Sequence, residues 1–388
     1  MKEYSIRMEK VRQQMRAANV DAFLITTNVN LFYLTGGVLA GYLYIPVCGE
    51  AVLFVRRPAG LRDNHIVYVR KPEDIPAILL QRGMSLPCRV MLEGDSIPYG
   101  EWMRYAALFP ESETVNGTPA IRKARSVKTA YEIDLFRRSG VIHAEVYRKI
   151  PALYRPGMTD VELSIEIERQ LRLAGSFGIF RTFGQSMEIF VGSLLSGDNA
   201  AEPSPYDFGL GGKGQHPSLP IGANNTILRR GTSVMVDMGG NFTGYMTDMT
   251  RTYSIGTLPE EAYLAHQTAL DIQSETTKTA RPGVACETLY NRALEMAKER
   301  GLADCFMGIN QQAKFIGHGV GIEINELPVL GARSETLLEE GMILALEPKF
   351  VIAGVGAVGI ENTFLITASG MEQLTLLEEN IVDLEKGY

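Results

Sequence analysis

The chain has 388 residues, 45% hydrophobic and 21% charged, a balance that suits a soluble globular protein with a sizeable core. Its length favours two domains over one. A net charge of −7 and a pI near 5.5 argue against a nucleic-acid surface or an anionic membrane as partner, and Arg122, Lys123 and Arg125 are too thinly spread to change that.

The opening MKEYSIRMEKVRQQMRAANV is charged and helix-like, without the apolar centre of a signal peptide. No apolar stretch is long enough to span a bilayer. The cysteines (Cys48, Cys88, Cys286, Cys305) lie far apart and form no C-x-x-C pair, which fits reduced thiols better than a disulfide framework. A cytoplasmic location is expected. A helix near residues 5–18 leads into the strand-like runs VDAFLIT (20–26), LFYLTG, AVLFV (51–55), IVYVR (66–70) and RVMLE (89–93), separated by Pro and Gly. These predict a small α/β domain ending near residue 118. GTPAIRKARSVKTAYEI (117–133) reads as a linker entering a long helix.

The rest of the chain repeats itself. RPGMTDVELSIEIERQLRLAG (155–175) and RPGVACETLYNRALEMAKERG (281–301) each predict a helix with a Pro-Gly start and a glycine stop, the first with a capping box of Thr159 and Glu162. RRGTSVMVDMGG (229–240) then parallels EEGMILALEPKF (339–350), so that Asp237 and Glu347 each stand six residues after a glycine. Each half adds a second carboxylate on a following strand, Asp248 and Glu361. An internal duplication is the natural reading.

Those four acids sit in mostly apolar strands, where they are buried or line a cleft. Buried carboxylates repel one another, so something cationic must stand among them. Arg251 can pair with one of them but not with all four. Singly, each acid also fits a turn or an ion pair; as a set, they are left unexplained by that reading. With the neutral imidazole of His318 they form a ligand set for two divalent cations, with two carboxylates bridging.

Asp237, GYMTDMTRT with Asp248, GHGVG with His318, ALEP with Glu347 and GIENTFLIT with Glu361 resemble the five-ligand pattern of the M24 metallopeptidases, in order, spacing and flanking residues. These are the pita-bread enzymes: methionine aminopeptidase, prolidase and aminopeptidase P. VDAFLITTNVNLFYLTG and IRKARSVKTAYEIDLFR resemble the creatinase/prolidase N-terminal domain and favour the prolidase/aminopeptidase P branch. The resemblance implies an α/β domain over residues 1–122 and an α+β pita-bread catalytic domain with an internal pseudo-two-fold repeat over 123–388. It implies that Asp237 chelates one ion, Asp248 and Glu361 bridge, His318 binds the second ion and Glu347 joins it. Two ions of Mn, Co, Zn or Fe per chain would hold the attacking hydroxide, with Glu347 shuttling the proton. A homodimer is expected on the same ground.

Three positions depart from the family pattern. The stretch G-H-G-x-G-x-x-x-H-E-x-P appears as GHGVGIEINELP, with Asn325 for the second histidine, and an amide cannot carry a proton between groups. SGDNAAEPSP (196–205) has Ser204 where the family has histidine, and the insertion FGLGGKGQHPSLPIG (208–222) offers His216 as a replacement. Gly359 stands where prolidases tend to have arginine. Glu347, His216 and Asn325 are therefore the catalytic candidates. The expected reaction is hydrolysis of Xaa-Pro or other short peptides. The alternatives are C–N or C–S cleavage of a small molecule on the same metals, or a catalytically silent binding protein. His143 and His266 read as packing or surface residues and His65 as the start of a strand, while Tyr245 either packs or hydrogen-bonds one of the acids.

Overall fold

The structure, a computed structural model, describes residues 2–61, 66–184, 189–206 and 208–386, and His65 lies outside them. The chain divides into two compact units, Met1–Arg125 and Ser126–Tyr388.

The first unit is built on a six-stranded sheet in the order Ile66–Tyr68, Val52–Arg57, Ala40–Pro46, Ala22–Ile25, Arg89–Leu92, Glu113–Asn116. The wholly buried run Ala22–Ile25 lies mid-sheet, antiparallel to Ala40–Pro46 and parallel to Arg89–Leu92. LFYLTG belongs to a helix, Asn28–Thr35, and not to a strand. The buried carboxylate of Glu93 stands at its start. It accepts the backbone N–H groups of Thr26 (2.6 Å) and Thr27 (2.9 Å) and the Asn30 side-chain amide (2.7 Å), bracing the turn into the helix and its first turn. Gly36, at φ 79°, ends the helix. Most of the predicted linker is likewise helical (Thr118–Ser126), and Thr129 then caps the long helix Ala130–Tyr147 with Glu132 three residues on.

In the second unit two helix pairs accompany two sheets. Ala130–Tyr147 and Asp160–Leu173 precede strands Ser233–Met238 and Thr250–Ser254; Glu260–Thr279 and Cys286–Glu299 precede Ile343–Leu346 and Asn362–Thr367. The four-stranded sheet runs Val382–Asp383, Thr250–Ser254, Ser233–Met238, Gly192–Ser196. The five-stranded one runs Glu326–Gly331, Phe315–Gly319, Ile343–Leu346, Asn362–Thr367, Gly370–Gln373. The expected capping box, Thr159 with Glu162, starts the second helix. Leu163, Ile167 and Leu171, at helical spacing, bury against Val234, Val236 and Tyr253; Ala265, Ala269 and Ile272 do the same against Leu344, Leu346 and Phe364. The repeat read in the sequence is thus a repeat of packing, an α+β pita-bread unit. A bridge between Thr250 and Glu361 ties the two halves where their acids meet. Among the described residues no helix is long and apolar enough to cross a membrane.

Candidate metal centre

Three of the four acids stand where a strand ends or breaks, which frees their side chains to turn inward, and Asp237 lies within a strand. Asp237 is the one partly exposed residue of the buried strand Ser233–Met238. Asp248 falls in the break between Met246–Thr247 and Thr250–Ser254, Glu361 in the break between Gly356–Gly359 and Asn362–Thr367, and Glu347 directly after Ile343–Leu346. Hydroxyls fix them. Thr363 Oγ1 accepts the Asp248 N–H (2.8 Å) and donates to the Asp248 carbonyl (2.9 Å), while Thr250 Oγ1 donates to Glu361 Oε2 (2.7 Å).

His318 lies on Phe315–Gly319, between two sheet neighbours. Its Nδ1 is 3.1 Å from the Gly319 carbonyl, which can only accept, so Nδ1 carries a proton and Nε2 is the nitrogen left to face the acids. Nε2 points at Glu347 Oε1 (3.5 Å) and Asp248 Oδ2 (3.8 Å). An Nδ1–H held by a carbonyl is the arrangement that orients Nε2 as a metal ligand.

The cation demanded among the acids is Lys349. Its fully buried Nζ donates to Glu347 Oε2 (2.7 Å), Asp237 Oδ2 (2.8 Å) and Glu361 Oε2 (3.0 Å). Arg251 turns elsewhere, donating to the carbonyls of Thr250, Glu361, Leu377 and Glu378 and to Asn362 Oδ1. A usable signal was present in the sequence: a lysine in the apolar run EPKFVI, two residues past an acid. Burial alone would lower the Lys349 ammonium, yet Asp237, Glu347 and Glu361 together hold it well above the ordinary lysine value. Burial, then the charge of Asp237, pushes Asp248 up to about 7. Burial and the charge of Asp248 raise Glu361 well above the carboxylate range.

The acids and His318 open on a narrow cavity of about 60 Å³ whose apolar wall includes Phe180, Ile189, Phe208 and Ile324. Asn325 also lines it, but its amide grips a neighbouring segment: Oδ1 accepts the Phe183 N–H (2.6 Å) and Nδ2 donates to the Phe183 carbonyl (2.8 Å). With Ile324 N–H bound to the Arg181 carbonyl (2.8 Å), this holds residues 181–183 beside the cavity. Ser204 is buried and donates to the Pro220 carbonyl (2.9 Å), pinning the inserted loop.

His216 departs from expectation. Its ring is exposed, bonded to Ser218 Oγ at 2.8 Å within a tight turn, and it is not among the residues lining the cavity. A proton carrier must come within hydrogen-bond reach of the reacting atoms, so the loop histidine does not replace the one missing at Ser204. Gly359 has a packing explanation. It pairs with Lys349 across the ladder at φ 151°, and a Cβ there would come within 2.5 Å of the Pro348 carbonyl and 2.7 Å of Lys349 Cα. Arginine at 359 is therefore incompatible with this path of the Lys349 strand. Tyr245 donates to Glu132 Oε1 (2.8 Å), outside the cluster, and His143 and His266 are buried in their helices.

Among the described residues two sets of donors lie close enough to hold an ion, each with its ligand atoms within 4.8 Å of one another: Asp248, His318 and Glu361, and Asp237, Glu347 and Glu361. The first set, an imidazole and two carboxylates, fits a divalent transition ion. The second does not fit one beside Lys349, because the ammonium stands where an ion with bonds of about 2.0–2.2 Å would have to stand.

The sequence profile of metallopeptidase family M24 matches residues 134–368, well over half of the chain. The chain belongs to metallopeptidase family M24. The profile of the creatinase/prolidase N-terminal domain matches residues 7–127 of this M24 enzyme. It is 26% identical to an Xaa-Pro dipeptidase of Pyrococcus furiosus, over 97% of this chain and 99% of that relative. It is 25% identical to an uncharacterized peptidase of Bacillus subtilis, YqhT, over 98% of this chain and all of that one. Its fold is that of the Pyrococcus horikoshii prolidase crystal structure, with TM-score 0.77 at 24% identity over 97% of this chain and 99% of that one. The M24 assignment thus covers residues 134–368 and the creatinase/prolidase N-terminal assignment residues 7–127.

Proposed function

We propose that this M24 enzyme hydrolyses short peptides, Xaa-Pro bonds among them, with a divalent ion of the Mn, Co, Zn or Fe group held by Asp248, His318 and Glu361. The observation that carries this is the convergence of Asp237, Asp248, His318, Glu347 and Glu361, drawn from separate strands, on one cavity with an apolar wall. The full-length likeness to proteins named Xaa-Pro dipeptidase supports the substrate class. A homodimer and a cytoplasmic location belong to the same reading, on the strength of that likeness alone.

A divalent ion in this set supplies Lewis acidity and lowers the pKa of water. The chain's residues do the rest. Glu347, on the cavity and facing His318 Nε2, takes the proton of the attacking water and returns it to the leaving amine. Phe180, Ile189 and Phe208 exclude bulk water and offer an apolar surface to a substrate side chain or a proline ring. Asn325 acts through residues 181–183, holding that wall in place instead of moving protons.

The test is an assay of protein loaded separately with Mn, Co, Zn and Fe. Substrates are Xaa-Pro dipeptides, longer Xaa-Pro peptides, dipeptides without proline, and guanidino and sulfonium small molecules. Metal-dependent cleavage of dipeptides is expected, and His216→Ala should change it by no more than about twofold, as for an exposed side chain remote from the site. Turnover confined to the small molecules, with no peptide cleaved under any metal, would sink this reading.

A further inference from the structure

We propose that this centre takes one metal ion, at Asp248, His318 and Glu361, and that the side-chain nitrogen of Lys349 stands permanently in place of a second. The inference rests on reading the cluster as an M24 metallopeptidase site, and its test is separate from peptide cleavage.

Geometry carries it first. An ammonium has three N–H donors, and all three are used, one on each of Asp237, Glu347 and Glu361, at 2.7–3.0 Å. These acids come from three different stretches of the unit, so the nitrogen is a hub and not a side chain folded onto its nearest neighbour. It is fully buried. Moving it aside to admit an ion would break three charge-assisted hydrogen bonds and leave a cation in the interior without its partners.

The second observation is the backbone around it. Lys349 heads the strand Lys349–Ile352, paired to Gly356–Gly359, and its register partner is Gly359. The approach there is so close that a Cβ on Gly359 would collide with Lys349 Cα and meet its Cγ at 3.1 Å. The ladder is thus shaped to carry a long side chain from this one position into the acids.

Charge and ligand supply agree. One ammonium and one divalent ion cancel three of the four carboxylate charges, leaving the fourth to be balanced by substrate or solvent. Asp248 and His318 are not hydrogen-bonded to the lysine, and together with Glu361 they have ligand atoms close enough to hold an ion. Glu361 is shared, a carboxylate set between a fixed nitrogen and an exchangeable metal.

Metal content of the full chain at saturating Mn²⁺, read by native mass spectrometry and by the Mn²⁺ electron paramagnetic resonance spectrum, decides the matter. The expected result is one ion per chain with the spectrum of an isolated ion. Lys349→Ala is expected to bind two, with the spectrum of an exchange-coupled pair, since it frees three carboxylates. Asp237→Asn should keep the single ion, whereas His318→Ala should lose it. Two coupled ions in the unaltered chain would overturn the proposal, as would loss of the ion in Asp237→Asn or a count of one in a folded Lys349→Ala. If Lys349→Ala does not fold, Lys349→Met keeps the volume without the charge and serves in its place, and the unaltered chain's count still decides. A chain that holds one ion yet cleaves no peptide breaks the peptidase reading and leaves this one standing. A chain that cleaves peptides with two ions does the reverse.

Discussion

In the first half of the catalytic unit Gly239 stands two residues past the strand carboxylate Asp237; at the matching place in the second half, Lys349 stands two residues past Glu347. Around Gly239 a Cβ would meet the far ends of Phe180 (3.1 Å) and Met246 (3.2 Å), so the small residue leaves room for the aromatic wall of the cavity. At Lys349 the same backbone position sends a cation into the acids. The duplication keeps its carboxylates in both halves, but their repulsion is relieved from one side only. The opposite side, Asp248 with His318, is left to a ligand from outside. A symmetric scaffold becomes an asymmetric site by one pair of unmatched residues.

Breaking the open side should have the largest effect. His318→Ala and Asp248→Asn should each lower peptide hydrolysis on the order of 10³-fold or more, about 4 kcal/mol of transition-state stabilisation. Asp237→Asn, on the lysine side, should lose far less at saturating metal. Equal losses in all three, measured as kcat/KM, would dissolve the asymmetry.

Next comes stability. Lys349→Met leaves three carboxylates facing one another without their cation and should destabilise the metal-free protein by about 3–5 kcal/mol in urea unfolding. Added divalent ion should restore much of that. The two glycines sharpen the contrast on a smaller scale. Gly359→Ala meets backbone atoms at 2.5–2.7 Å and a φ of 151°, and should cost about 1–3 kcal/mol. Gly239→Ala meets only a ring edge and a methionine methyl, which can yield, and should cost less than about 1 kcal/mol. A Gly239→Ala loss larger than that of Gly359→Ala would mean that the tight position has been misplaced.

The residues that were legible from sequence share a property: their neighbours in the chain mark where they stand. Asp237, Asp248, His318, Glu347 and Glu361 each carry a local frame of glycines and apolar strand, and the repeat of that frame exposed the two halves. Thr159 with Glu162 announced a helix start on four residues alone. What escaped depended on partners distant in sequence. LFYLTG is apolar enough for a strand, and the Glu93 carboxylate that braces the start of its helix lies over sixty residues away. Lys349 went unremarked although Glu347 is two residues away, because its hub shows only when Asp237, 112 residues earlier, joins it. Asn325 read as a catalytic candidate, whereas its amide bonds the backbone of Phe183, 142 residues earlier. His216 failed for the converse reason: its type suited catalysis, but its loop keeps it in solvent.

Acid stability offers the finest comparison, because each half buries one histidine in the first helix of its pair. His143, with Nδ1 3.0 Å from Thr247 Oγ1, is pushed down from 6.5 to about 3 by burial, with Arg251 adding to it. The folded chain therefore keeps it neutral through a range where the unfolded chain takes up a proton. Its stabilising contribution is complete above 6.5 and is lost as pH falls toward 3, with a slope of at most about 1.4 kcal/mol per pH unit. Burial also lowers His266, but its Nε2 lies 2.8 Å from the Glu379 carbonyl, which opposes the shift, so its share should be smaller. Asp248 works in the opposite sense. Raised from 3.8 to about 7, it binds its proton more tightly in the folded metal-free chain, so acidification across that range favours the fold. The signature of His143 is therefore the difference between parent and variant, not the parent's curve. Unfolding of metal-free protein between pH 7 and 5 should lose less stability in His143→Gln than in the parent, with His266→Gln in between. If His266→Gln flattens the profile as much as His143→Gln does, the carbonyl at Glu379 does not distinguish the two halves.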